Sequence, residues 1–190
     1  MSKILNTHVC KLLGIEAPIF AAPMGFLTRP DLAAAVSNAG GLGIMSFSAN
    51  PPPVLRDEIR RLRSLTSKPF GVNVLLSGLH LSFSVDELVN VCVEERVPVL
   101  STFWGDPTPY VARAHAAGMK VIDQVGSVAD AQRAARAGVD AIIAQGVEAG
   151  GHIAGEVSTM ALVPRVVDTV RPTPVVEESR TPAGSWRRWC

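Results

Sequence analysis

The feature that most constrains this chain is a beat of short, continuous apolar runs, each followed by a stretch with helical period. The runs are PIFAA from Pro18, LGIMSF from Leu42, FGVNVLL from Phe70, VPVLSTF from Val97, KVIDQV from Lys120, AIIAQ from Ala141 and PTPVV ending at Val176. Strands that are apolar throughout are buried on both faces, which implies a parallel sheet covered by helices. The intervening segments carry helix signals. Between the first two runs a helix is expected over Asp31 to Asn38, with Thr28 as cap, Pro30 in its first turn and Gly40-Gly41 as its stop. VLRDEIRRLRSL sets Leu55, Ile59 and Leu62 on one face and arginines on the other. Ser84 with Glu87 forms a capping box ahead of DELVNVCVEER. Further helices are expected over Tyr110 to Ala117, over VADAQRAARAG behind Ser127 and Asp130, and over Thr159 to Val170.

This rhythm fits a closed barrel or an open doubly wound sheet. The first turn lacks the G-x-G-x-x-G fingerprint of a dinucleotide fold, which counts against the open sheet. A full barrel takes about 250 residues and eight units. The chain has 190 residues and supplies seven strands and six helices, so the expected fold is an incomplete (β/α)8 TIM barrel over residues 1–176. From residue 177 the sequence switches to EESRTPAGSWRRWC, with no strand or helix period. This tail is expected to be irregular and reads as the product of a frame change or truncation, a natural disordered tail being the alternative.

Hydrophobic residues make up 47% and charged residues 18%, too apolar for a disordered chain. The net charge of +1 gives no bulk electrostatic reason to bind nucleic acid or a membrane surface. Cys10, Cys92 and Cys190 form neither a disulfide framework nor a metal-ligand pair, which points to a reducing cytoplasm. No run approaches the roughly 18 apolar residues of a membrane span, so a soluble protein is expected. The histidines give no metal set at usable spacing.

Functional residues of a barrel gather where strands end and the following loops begin. On that rim stand Pro23, Met24 and Gly25 after the first strand, Gln124 and Gln145 closing the fifth and sixth, and Gly150, Gly151 and His152 beyond. Asn73 lies inside the third strand, where a buried amide needs a partner. Gly146, Gly150 and Gly151 let backbone approach a flat ring or a phosphate. His152, next to two of them, would be an imidazole in open space, suited to proton transfer near neutrality. Glu148 reads as a brace for this loop, while His8, His80 and His115 read as solvated.

Taken together, APIFAAPMG, FGVNVLL and KVIDQVGSVADAQRAARAGVDAIIAQGVEAGGHIAGEVSTMALVP resemble the nitronate monooxygenase family, formerly 2-nitropropane dioxygenases, over about Ala17 to Val176. AQGVEAGGH is the most specific element. The resemblance implies a TIM-barrel FMN enzyme that oxidises alkyl nitronates or nitroalkanes with O₂. By the same resemblance, Pro23, Met24, Gly25, Asn73, Gln124, Gln145, Gly146, Gly150 and Gly151 line the flavin. His152 is then the active-site histidine, a base for neutral nitroalkanes and a polar contact for nitronates. The family's two later glycine turns, which hold the FMN phosphate, have no counterpart here, and EESRTPAG stands in place of the first. The EAGGH loop also resembles flavin-dependent enoyl-acyl-carrier-protein reductases. A third reading is a truncated chain that holds flavin poorly or not at all.

Overall fold

The computed structural model describes residues 7–46, 51–77 and 83–178. Helix α1 (His8–Leu13) and helix α2 (Pro30–Asn38) precede strand β1 (Gly43–Ser46). The alternation then runs α3 (Pro52–Leu65), β2 (Phe70–Leu75), α4 (Val85–Glu94), β3 (Val99–Phe103), α5 (Thr108–Ala116), β4 (Lys120–Val125), α6 (Val128–Ala137), β5 (Ala141–Gln145), α7 (Thr159–Val170) and β6 (Val175–Glu178). All neighbouring strands are parallel and follow chain order from β1 to β6. A doubly wound sheet reverses its strand order at a switch point. This sheet never reverses, so the barrel reading holds.

The alternation of each strand divides the core in two. Leu100, Val121, Ile142 and Val72 pack outward against Leu55, Ile59, Leu62, Leu88 and Leu162 of the helices. Ile44, Val99, Ile122, Ala141 and Ile143 point to the other side and meet Val9, Cys10 and Leu13 of α1. Helix α1 therefore closes the N-terminal end of the barrel interior. The sequence reading had no such element, because six residues are too few to show a period.

Most elements agree with the sequence reading; the differences have local causes. The first expected strand survives as a single parallel bridge, Phe20 to Leu42. Ala17 N–H turns aside to Gly40 O and Ile19 N–H folds back to Ala17 O, so only Ile19 to Ala21 run beside Leu42. Thr28 does not cap α2, whose N-cap is Arg29 without a side-chain bond. The Thr28 hydroxyl instead donates to Ala22 O (2.9 Å) and accepts from Met24 N–H (3.0 Å), so it holds the PMG turn. Helix α5 begins two residues earlier than expected, where Asp106 accepts from Thr108 N–H at 3.0 Å. The Ser84–Glu87 capping box is present on α4, and Ser127 caps α6.

Strand β6 includes Glu177 and Glu178, paired with Ala144 and Gln145. The boundary drawn at residue 177 is thus two residues early, because register with β5 overrides the polar side chains. Residues 179–190, the end of the second expected strand at Phe47, and His80 lie outside the described residues. Among the described residues no helix is long and apolar enough to cross a membrane, and no His/Cys/Asp/Glu group could hold a metal ion.

Candidate active site

Side chains alternate along a strand, so the inward set can be followed upward from the apolar layer at the base. Above Ile44, Val99, Ile122 and Ile143 the inward positions become Ser46, Asn73, Ser101, Gln124, Gln145 and Glu178. The barrel interior is therefore apolar below and polar at the C-terminal ends of the strands. Asn73 is 2% exposed and donates to Ser101 Oγ across the β2–β3 pairing at 3.2 Å. Gln124 is buried at the end of β4, opposite Phe103.

The PMG turn lies at the same end, where Ser46 N–H donates to Thr28 O at 3.1 Å. Met24 is exposed, and a side-chain carbon at Gly25 would meet nothing within 4 Å.

The loop after β5 is built from both ends. Gln145 donates from Nε2 to the His152 carbonyl (3.0 Å) and accepts Ala154 N–H on Oε1 (3.1 Å). It also bonds Glu178, whose carboxyl is nevertheless pushed above the usual range by burial. Glu148 accepts Thr159 N–H at 2.9 Å, which ties the loop to the start of α7 and confirms it as a brace. Its own backbone N–H, and then the Thr159 N–H and hydroxyl, hold the Glu148 carboxyl below its ordinary range against burial. Gly146 is needed for close approach: a Cβ there would collide with the Thr159 hydroxyl and lie 2.5 Å from Thr159 N. Farther along, a Cβ on Gly155 would strike the Gly126 carbonyl, so the loops after β4 and β5 pack backbone to backbone.

Gly150, Gly151 and His152 are exposed, and a Cβ on either glycine would meet nothing within 4 Å. Two kinds of loop glycine result, one kind packed and one kind facing open space. Removing the clamp should show its role. Gln145→Leu is expected to destabilise by roughly 1–3 kcal/mol, since the amide's loop partners lose their bonds. Hydrogen exchange should quicken at Ala154 while the core of β4 keeps its protection; unchanged exchange at Ala154 would refute the clamp.

The structure thus brings the PMG turn, Asn73, Gln124 and the His152 loop to one end of the barrel. It engages Gln145 and Gly146 in holding the loop itself. His115 sits apart on α5, 2.8 Å from Asp140 Oδ2, so it is paired rather than merely solvated.

One site residue escaped the sequence reading, and so did a buried carboxyl on the opposite face of β4. Trp104 directly follows β3 and lies edge-on to His152, with ring centroids 5.1 Å apart. An aromatic residue at a strand's C-terminal rim was a signal available in the sequence. Asp123 was hidden within an apolar run. It lines a cavity of about 410 Å³ with Phe103, Trp104, Gln124, Asp130 and Arg133. Thr102 Oγ1 donates to its Oδ1 at 2.6 Å. Burial, opposed by this bond and by Arg133, pushes the Asp123 carboxyl up to about 7.

Comparison with known proteins shows the chain's family. The nitronate monooxygenase family model matches residues 6–82 and 77–177. The chain is 35% identical over 176 residues to a nitronate monooxygenase of Paraburkholderia phytofirmans, covering 74% of this chain and 48% of the relative. It is 37% identical over 166 residues to a (3aS,4S,5R,7aS)-5-hydroxy-7a-methyl-1-oxo-octahydro-1H-indene-4-carboxyl-CoA dehydrogenase of Rhodococcus jostii, covering 87% and 46%. The structure of FabK from Thermotoga maritima superposes with a TM-score of 0.85 at 46% identity, covering 90% of this chain and 53% of that one. The chain spans about half the length of the relatives it matches. With a family model matched over residues 6–82 and 77–177, the chain belongs to the nitronate monooxygenase family.

Proposed function

We propose that this chain carries the catalytic face of a flavin-dependent oxidation of alkyl nitronates by O₂, with FMN as the flavin. The observation that carries the reading is His152 presented on a glycine loop, clamped by Gln145, at the polar end of the barrel. The residues fit a flat ring. Gly25, Gly150 and Gly151 leave open space over their backbone, and the inward amides of Asn73 and Gln124 supply hydrogen-bonding groups at the mouth. On this reading the PMG turn, Asn73, Gln124, Gly150 and Gly151 would hold the ring, and Gln145 and Gly146 would support it by fixing the loop. Among the described residues, Glu178 contributes a carboxyl with one unpartnered buried oxygen, which offers nothing attractive to a phosphate.

A bound flavin would supply the electron acceptor and the reaction with oxygen. The protein's own part is narrower. His152 takes the α-proton of a neutral nitroalkane onto its imidazole, or hydrogen-bonds the nitro oxygens of a nitronate that arrives already ionised.

A second reading, reduction of an unsaturated acyl thioester with NAD(P)H, draws support from the dehydrogenase relative, whose name specifies a carboxyl-CoA. One set of measurements separates the two. Purified protein should take up FMN with a visible flavin spectrum, and FMN at about a hundred times its Kd should stabilise it by about 2.7 kcal/mol. It should then consume O₂ with propyl nitronate and leave NADH with a crotonyl thioester untouched. Turnover of the thioester alone would transfer the assignment to the second reading. Absence of both flavin uptake and thermal shift would leave neither standing and favour an inactive chain.

A further inference from the structure

Among the described residues, only Arg96 and Trp104 adopt a positive φ without being glycine, and Trp104 stands at 57°. A bulky side chain in the left-handed region is strained, and such strain persists only where the surroundings impose it. The adjoining residue is Gly105, which would tolerate that conformation freely. Its lack of a side chain is used otherwise, because a Cβ there would collide with Leu76. The chain therefore assigns its strained position to an indole although a glycine is next to it.

The indole is held on two sides. Phe103 stacks on it, with centroids 5.0 Å apart and planes at 16°. His152 meets it at 5.1 Å and 67°, an edge-type contact between the loop after β3 and the loop after β5. Trp104 also walls the 410 Å³ cavity together with Gln124 and Ala154, and Ala154 is the residue whose N–H Gln145 holds. The His152 backbone is thus fixed by Gln145 from below, while among the described residues Trp104 is the aromatic side chain that meets its ring.

We propose that Trp104 is a positioning residue for the His152 imidazole, and that the left-handed backbone at 104 is the cost of bringing the indole edge to that ring. The inference rests on His152 being the group that handles the substrate proton. Trp104 acts through His152, restricting the imidazole to the orientations in which a ring nitrogen faces the barrel mouth.

Trp104→Gly tests this, because glycine removes the indole and relieves the backbone at once. Relief of strain and loss of the Phe103 stack oppose each other, so Tm should stay within about 3 °C of the parent. The His152 ring signals, assigned with His152→Gln in a ¹H–¹³C spectrum, should lose their ring-current displacement. Turnover of a neutral nitroalkane should fall roughly ten- to hundredfold in kcat with little change in KM. Trp104→Phe, which keeps a ring against the imidazole, should recover most of both. Unmoved His152 signals in Trp104→Gly overturn the proposal, as do signals that move while kcat does not. A Tm drop beyond about 8 °C that Trp104→Phe restores without restoring kcat would make Trp104 a packing residue instead. If the parent protein turns over no nitro compound while the His152 signals still respond to position 104, the nitronate reading fails and the indole–imidazole contact stands alone.

Discussion

Asp123→Asn should stabilise the protein by up to about 4 kcal/mol at pH 8 and by only about half a kcal/mol at pH 4. Asp123 is 2% exposed on the helix-facing side of β4, and its carboxyl is raised by burial to about 7. In the unfolded chain the same group titrates near 3.9. Below the unfolded value both states hold the proton and the group contributes nothing. Between about 4 and 7 the folded state holds a proton that the unfolded state has lost, so stability declines as pH rises. Above about 7 the full cost of a buried carboxylate is present. Asparagine keeps the oxygen that accepts from Thr102 and carries no charge at any pH, so it removes that cost without vacating space. In a domain of this size the pH 8 gain corresponds to a rise in Tm on the order of 10 °C. Melting curves of parent and variant at pH 4, 6 and 8 decide the matter. Parallel curves, or an advantage as large at pH 4 as at pH 8, would show that shape rather than charge separates them.

Such a group is hard to see in sequence for the same reason that it is costly. KVIDQV reads as a strand because three of its six side chains, Val121, Ile122 and Val125, are β-branched, and the run lies at Lys120–Val125 as expected. Period two then puts Gln124 toward the barrel mouth and Asp123 on the opposite side, yet the sequence alone does not say which side is the mouth. The inward direction is fixed only by the register of β3, β4 and β5. Local signals fared better where they involve nearby residues. The Ser84–Glu87 box and the Ser127 cap are formed by residues three apart and were legible. Thr28 offered an equally good local cap and was captured by the PMG turn, because Ala22 O and Met24 N–H needed a partner more than the proline-led start of α2 did. The site divides the same way. Gly150, Gly151 and His152 could be picked out because glycines beside a histidine are unusual within one loop. That Gln145 clamps the loop, or that Trp104 reaches His152 from 48 positions away in sequence, depends on which strands are neighbours.

The second large effect belongs to His152→Ala, and its size should depend on the charge of the substrate. A neutral nitroalkane must lose its α-proton before it can react, and a positioned general base contributes typically 10²–10⁴-fold to such a step. A nitronate prepared in alkali arrives without that proton and loses only a hydrogen-bonding contact, worth about tenfold. The variant should therefore lose roughly a hundredfold or more on nitroethane at neutral pH, and about tenfold on ethyl nitronate. Little of this loss should come from stability, since the His152 side chain is exposed and Gln145 holds only its backbone. His115→Ala is the matched control. That imidazole bonds Asp140, which also takes Lys120 Nζ at 2.9 Å and Val121 N–H at 2.8 Å, so its removal touches the N-terminal start of β4. It should lower Tm slightly and leave both activities unchanged. Equal losses on the two substrate forms would mean that His152 positions the substrate without moving its proton. Equal losses in the two variants would remove His152 from the chemistry altogether, and the mouth of the barrel would need another base.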